Sequence, residues 1–265
     1  MDITHQEFDQ FRNLLHEMTG ISLSVGKKAL VCGRLAKRLK QRQLDSYGEY
    51  YRLLTSGHDR AEMQIAIDLL TTNETSFFRE PRHFDFLRDE LPLMQRLGRT
   101  LRIWSAASST GEEAYSIAMV LAHRLGRQPW EVIGSDISAR VIEKARSGHY
   151  TLERAKNIPR QYLLDYCLKG TGSQEGTFLI EPKLRNRVRF MPHNLNASPP
   201  HLGELDAIFL RNVMIYFDME TKRQVVGRLL PLLRPGGYFI VGHSESLNGV
   251  TNGLTPLKSS IYRKP

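Results

Sequence analysis

From about Thr100 onward the chain alternates short apolar runs with longer stretches of helical periodicity, which predicts an α/β sheet built from βαβ units. Residues 101–106 read as a strand, 112–125 as a helix with Ala114, Ile117, Ala118 and Leu121 on one side, and 132–135 as a strand closed by Asp136. Residues 138–146 read as the next helix. The strand 205–210 leads into Arg211 and Asn212, and a helix over 219–233 is stopped by Arg234-Pro235-Gly236-Gly237 before a strand over 238–241. Between Tyr150 and Arg189 the alternation breaks. There Gly170, Gly172 and Gly176, followed by Thr177, Phe178, Ile180 and Val188, predict a small antiparallel insertion with glycine turns.

The first seventy residues have a different texture. Phe8, Phe11, Leu14, Leu15 and Met18 recur at three- and four-residue intervals and stop at Gly20, the pattern of an amphipathic helix with a glycine beyond its end. Residues 30–44, 47–54 and 61–70 give three more helical patterns, and no strand is evident. The expected organisation is therefore a small all-α domain over 1–70, a linker over 71–98, and an α/β domain over 99–265 carrying the insertion at about 152–190.

With 41% hydrophobic and 25% charged residues, the chain has ample material for a core, and disorder is not expected. Its opening, Met-Asp-Ile-Thr-His-Gln, lacks the layout of a secretory signal, and no apolar run is long enough to span a bilayer, so a soluble cytoplasmic protein without membrane insertion is expected. Cys32 and Cys167 show no CxxC spacing, and the nine histidines form no HExxH pair, so neither a disulfide framework nor a metal site is expected. The formal charge of +9 points to an acidic partner, protein or nucleic acid.

In an open α/β sheet, ligands bind beyond the carboxyl ends of the strands. The first such turn, from Ala106 through Ser108, Ser109 and Gly111 to Glu113, is neither GxGxxG nor a P-loop, so it loses the phosphate-cradling readings. Two acidic residues, Glu112 and Glu113, at the following helix start suit a ligand with a cationic amine, or else only offset the helix dipole. Asp136, about 25 residues beyond the turn, stands where an acidic side chain accepts ribose hydroxyls; otherwise it caps the next helix. A nucleoside with an amine and without phosphates points to S-adenosylmethionine.

Six stretches of the sequence, taken together, resemble one family. They are Thr71-Thr72-Asn73-Glu74-Thr75-Ser76-Phe77-Phe78-Arg79-Glu80, Trp104 through Ser116, Ser135-Asp136-Ile137, Lys144-Ala145-Arg146-Ser147-Gly148, Arg211-Asn212-Val213-Met214-Ile215-Tyr216-Phe217, and Gly242-His243-Ser244-Glu245. In this order they resemble the CheR chemotaxis receptor methyltransferases over nearly the whole chain. The resemblance implies a Rossmann-like class I S-adenosylmethionine-dependent methyltransferase domain with a small antiparallel β-subdomain insertion, preceded by a small all-α domain that docks the receptor.

By that resemblance, Asn73, Thr75, Arg79, Glu113, Asp136, Asn194, Leu195, Arg211 and Asn212 bind the cofactor, with Glu113 at the methionine end, Asp136 at the ribose, and Asn194 and Leu195 beside the adenine. Arg79 and Tyr216 lie closest to the transferred methyl, and Arg79 holds a carboxylate of either substrate or cofactor. Only Gly111 remains of the generic methyltransferase glycine turn, a departure normal for this family. The implied products are a glutamate methyl ester on a chemoreceptor and S-adenosylhomocysteine.

Between Lys27 and Arg42 the sequence holds seven basic residues and no acidic one. Beside a glutamate-rich helical substrate, such a helix would steer the partner, so Arg34, Lys37, Arg38 and Arg42 are assigned to docking the chemoreceptor's cytoplasmic methylation helices. Nucleic acid ranks lower, because aromatics are not interleaved with the basic residues. Gly170 and Gly172 resemble the β-subdomain turn of members that bind a receptor C-terminal pentapeptide by strand addition. Two other readings compete: an RNA methyltransferase, motivated by the basic charge, and a non-catalytic module that holds the cofactor while docking a receptor.

Overall fold

The computed structural model describes residues 2–94 and 99–265. Four helices open the chain: α1 (His5–Thr19), α2 (Lys28–Gln41), α3 (Tyr47–Thr55) and α4 (Arg60–Leu70). Helix α1 begins with a reciprocal capping box between Thr4 and Glu7 and ends at Gly20, whose φ of 77° closes the helix. Gly20 also allows close approach, since a Cβ there would meet Thr221 at 2.7 Å. Phe8, Phe11, Val31, Leu35, Tyr47 and Tyr50 bury the facing stripes of α1, α2 and α3 in one core, as the spacing predicts.

The segment 71–98 holds more than a linker, for its described part contains a helix, α5 (Arg82–Met94). His83, Phe84, Phe86, Leu87, Leu91 and Met94 form its buried face. The preceding stretch is unusually bent, with Phe78 at φ 51° and Glu80 at φ 60°. Such conformations cost free energy in residues with a Cβ. Here Phe78 is held by its ring contacts with Phe84 and Tyr162, at 5.0 and 5.5 Å, and by its N–H on Ser116 Oγ at 3.0 Å.

The α/β part follows in order: β1 (Leu101–Ser105), α6 (Glu112–Leu125), β2 (Trp130–Asp136), α7 (Ala139–Ser147), β3 (His149–Thr151), α8 (Arg160–Tyr166), β4 (Cys167–Lys169), β5 (Thr177–Ile180), α9 (Pro182–Arg185), β6 (Val188–Pro192), β7 (Leu205–Leu210), α10 (Met219–Leu229), β8 (Leu233–Val241), β9 (Thr255–Lys258) and β10 (Ile261–Arg263). Seven strands make one sheet in the order β6-β2-β1-β7-β8-β10-β9. The first five run parallel, and β10 is antiparallel to both β8 and β9. The chain runs outward from β1 in one direction and from β7 in the other, so the switch point lies between the carboxyl ends of β1 and β7.

Strands β3, β5 and β4 form a separate antiparallel sheet, which is the expected insertion. Its strands span 149–180, earlier at both ends than the expected 152–190, because Val188 belongs to the main-sheet edge strand β6. The helix expected over 219–233 ends as α10 at Leu229, followed by a single 3-10 turn, and β8 begins at Leu233. Arg234 through Gly237 are thus strand residues. The 3-10 turn at Leu230–Leu232, not the glycine pair, separates helix from strand. The C-terminal hairpin β9–β10 is an addition to the sequence reading. No described helix is long and apolar enough to cross a membrane.

Candidate active site

A cleft of about 550 Å³ opens over the carboxyl ends of β1, β2 and β7, at the switch point. All ten residues assigned above to cofactor binding and catalysis line it: Asn73, Thr75, Arg79, Glu113, Asp136, Asn194, Leu195, Arg211, Asn212 and Tyr216. They come from five separate stretches, joined by the sheet and by the all-α domain that closes one wall. Ile21 bridges Phe217, and Ser22 N–H donates to Tyr216 O at 2.7 Å.

The turn after β1 reaches α6 through Gly111, which sits at φ 96° with no room for a side chain; a Cβ would meet that of Ala145 at 2.9 Å. This geometry parts the two acidic residues. Glu112 turns into the protein, accepting from Thr110 Oγ1 at 2.6 Å and from Arg154 Nη1 at 2.8 Å. Glu113 faces the cleft, accepting from Ser105 Oγ at 2.7 Å and from Arg211 Nη1 at 2.8 Å. Burial pushes the Glu113 carboxyl upward, and Arg211 opposes that push. Glu113 is therefore the carboxylate available to a cationic ligand.

Asp136 ends β2 and is 7% exposed, which raises its carboxyl above the ordinary range. Its oxygens accept from Ser109 N–H at 2.9 Å and Ser138 N–H at 3.0 Å. Ser138, not Asp136, caps α7. An ionised carboxylate has about four acceptor positions, so each oxygen of Asp136 keeps capacity for a hydroxyl.

Arg211 is 5% exposed and holds the floor together. Beyond Glu113, its Nη2 donates to Arg79 O at 2.5 Å and to Glu80 Oε2 at 2.9 Å. Asn212 stands at φ 57°, pinned by its N–H on Glu245 Oε2 at 2.8 Å and by its amide on Glu80 Oε1 at 3.1 Å. Burial alone would raise the Glu80 carboxyl, but bonds from Arg211 and Asn212 leave it below its ordinary value. The Arg79 guanidinium donates to Glu74 O at 3.0 Å and has no carboxylate partner among the described residues.

The amide of Asn194 donates to Met18 O at 2.6 Å, so this residue also ties the cleft to the end of α1. His193, next to it, lines the cleft with a buried Nε2 that lacks a partner. Burial, and then the charge of Arg228, lowers its pKa. An orphaned polar atom here, a carboxylate for an amine and another with spare acceptors for a ribose together fit S-adenosylmethionine. The rule of inspecting strand ends would have found His193, had β6 been recognised as a strand. Glu80, Glu245 and Arg154 hold the site from behind; the first two belong to matched stretches, and Arg154 left no motif signal.

Six assigned residues lie outside this cleft or serve elsewhere. Arg34, assigned to docking, lines the cleft and donates to Leu70 O at 2.8 Å and Thr71 O at 3.1 Å, bracing the entry to the 71–81 segment. Arg38 is engaged by Glu62, which is 1% exposed and also accepts from Tyr50 Oη at 2.7 Å. Arg42 pairs with Asp59 at 2.9 Å. Lys37 is exposed on the same helix. Gly170 and Gly172 sit in the β4–β5 turn, where Gly170 is needed sterically, a Cβ there falling 2.1 Å from Gln174 O.

Comparison with known proteins gives the family. Residues 73–263 match the CheR methyltransferase, SAM binding domain, and residues 6–71 match the CheR methyltransferase, all-alpha domain. A chemotaxis protein methyltransferase of Escherichia coli (strain K12) is 43% identical, the match covering 98% of this chain and 91% of that protein. Chemotaxis protein methyltransferase 2 of Pseudomonas aeruginosa is 42% identical over 98% of this chain and 93% of its own length. A chemotaxis protein methyltransferase of Salmonella typhimurium is 40% identical over 98% and 90%. With both of its domains matched in order and a cleft suited to S-adenosylmethionine between them, this chain belongs to the CheR family of S-adenosylmethionine-dependent chemotaxis methyltransferases.

Proposed function

We propose that this enzyme esterifies glutamate side chains on the cytoplasmic methylation helices of chemoreceptors, and that it works in the cytoplasm. The observation that carries this reading is one cleft in which Glu113 and Asp136 are buried and which Tyr216 and the Arg79 guanidinium, without a carboxylate partner among the described residues, also line. S-adenosylmethionine supplies an electrophilic methyl on a sulfonium, and the chain's residues do the rest. Glu113 receives the cofactor's amine, Asp136 its ribose hydroxyls, and the Asn194–Leu195 wall its adenine.

A glutamate, with a reference pKa of about 4.3, is already an anion near neutral pH, so the substrate needs no general base. What remains is alignment of carboxylate oxygen, methyl carbon and sulfur, with water excluded. Orientation of this kind supplies up to about 7–11 kcal/mol of a barrier. Arg79 suits the substrate carboxylate, because a planar guanidinium holds both oxygens in a fixed orientation. Tyr216 walls the methyl path, with its loop held by Ser22 from the all-α domain.

The domains divide the work as 1–70 for receptor docking, 71–98 for completing the cofactor site and 99–265 for catalysis. On α2, exposed Lys37 is the docking cation this reading favours, since Arg38 and Arg42 are drawn into ion pairs. The same ion pairs reduce the basic surface open to RNA. The edge strand β4, with exposed Leu168, is where a receptor C-terminal pentapeptide would add. Labelled methyl transfer to a chemoreceptor cytoplasmic fragment, followed by mild alkali, tests the central claim. Label lost as volatile methanol supports a glutamate ester, and alkali-stable label removes it.

A further inference from the structure

Behind the cleft floor, His83 is 1% exposed at the start of α5, and neither of its ring nitrogens has a hydrogen-bond partner. A buried polar side chain left unpaired calls for a reason, and an absent ion is one. Its ring meets that of His243 edge-on, with centroids 4.9 Å apart. Its Nδ1 lies 3.4 Å from Glu80 Oε2, and Glu80, His83 and His243 each place a ligand atom within 4.8 Å of the others. In tetrahedral coordination with bonds of about 2.0–2.1 Å, ligand atoms are roughly 3.3–3.4 Å apart. The Glu80–His83 edge already has that length, and exposed His243 can swing to complete the face.

We propose that Glu80, His83 and His243 bind a zinc-like divalent transition-metal ion, and that the bound ion turns the enzyme down by taking Glu80 from Arg211. Two imidazoles and one carboxylate suit zinc, whereas magnesium and calcium favour all-oxygen sites. Access exists through a second cavity of about 410 Å³, lined by His83 and His243 with Asp85 and Asp89 among its acidic residues and Arg82 and Lys258 among its basic ones. Two carboxylates, Glu80 and Glu113, share one guanidinium, Arg211.

The coupling follows from shared atoms. Glu80 Oε2 is both the proposed metal ligand and the acceptor for Arg211 Nη2, while Oε1 orients Asn212. Coordination displaces Arg211 from Oε2 and loosens the residue that holds Glu113. Cofactor affinity should therefore fall when the metal binds, and metal affinity should fall when the cofactor binds.

Calorimetric titration of zinc chloride into the chelator-stripped full chain tests this without receptor or turnover, so it stands apart from the identity of the methylated residue. One equivalent should bind, at least tenfold more weakly in His243→Ala, whose exposed site makes misfolding unexpected. Zinc-loaded wild type should bind S-adenosylmethionine at least fivefold more weakly, and His243→Ala should not respond. Cobalt in place of zinc should give tetrahedral visible absorption in wild type and not in the variant. Equal zinc affinity in His243→Ala would overturn the site, and unchanged cofactor affinity with zinc bound would overturn the coupling.

Discussion

Arg211 Nη1 donates to Glu113 Oε2 at 2.8 Å, tying the end of β7 to the first turn of α6 across the switch point. Both side chains are almost closed to solvent, at 1% and 10% exposure. The same guanidinium reaches back to Arg79 O and Glu80, so one cation fixes three carboxylate and carbonyl positions around the cleft. The carboxylate proposed to receive the cofactor's amine is thus placed by the residue that follows the central strand.

Removing one partner of a buried ion pair leaves the other charge unmatched, at a cost of about 3–5 kcal/mol. Arg211 keeps Glu80 in that event, so Glu113→Ala should destabilise the chain by about 3 kcal/mol, the lower end. Cofactor affinity should drop more than tenfold as well. Denaturant unfolding and calorimetry would read the two effects, and unchanged stability would mean that Glu80 alone satisfies Arg211.

At Asp136 the change to Asn keeps shape but removes charge and turns one oxygen into a donor. That donor faces Ser109 N–H or Ser138 N–H, both of which need an acceptor. A hydrogen bond to a charged group contributes about 1.5–3 kcal/mol, so binding of S-adenosylmethionine should weaken by roughly 10- to 150-fold. Adenine alone should bind Asp136→Asn as it binds wild type. Equal weakening for adenine would place Asp136 away from the ribose.

Arg79→Ala should abolish methyl transfer while Arg79→Lys retains a small fraction, because a point charge cannot reproduce a planar fork. Tyr216→Phe should lower kcat and leave cofactor affinity in place. Wild-type turnover by Arg79→Ala at saturating cofactor and receptor would remove it from the reaction.

Much of this architecture was legible in the sequence because βαβ alternation and strand-end chemistry are local signals. Glu113 and Asp136 could be singled out simply because each directly follows a strand or opens the helix after one. The choice between Glu112 and Glu113 could not be read, since it depends on Gly111 and on Arg154 arriving from the insertion. Helix α5 lies inside the segment assigned as a linker, and it carries a proline, Pro92, within it. Likewise, Arg38 and Arg42 were assigned to docking with the other α2 cations, because their partners Glu62 and Asp59 lie on α4 and just before it, beyond the reach of spacing along one helix.

The buried His83 sets a pH dependence of stability. Its pKa is about 3 in the folded chain, lowered by burial, against about 6.5 when unfolded. Between these values the unfolded state binds the extra proton, so stability rises with pH and is lost as pH falls below about 6.5. The slope approaches about 1.36 kcal/mol per pH unit from this one group. Thermal midpoints in the presence of a chelator should therefore fall between pH 6.5 and 5, before most carboxylates titrate, and His83→Gln should flatten that part of the curve. An identical slope in His83→Gln would assign the titration to another residue.

Charge reversal on α2 should separate docking from folding. Arg38 engages Glu62 in a pair where Glu62 is 1% exposed, and this pair together with Tyr50 Oη holds α2, α3 and α4 together. Hydrogen bonds from Arg38 act against burial to hold Glu62 below its usual range. Arg38→Glu would bury two carboxylates against each other, so it should unfold the all-α domain at lower temperature and lower activity through that loss. Lys37 and Lys40 are exposed and can be reversed without breaking a described ion pair. Lys37→Glu with Lys40→Glu should leave the thermal midpoint and cofactor affinity alone while raising KM for an acidic receptor fragment, most of all at low salt, where a Debye length of about 30 Å at 0.01 M lets charges act at range. A KM that does not move at low salt would assign receptor docking to a different face.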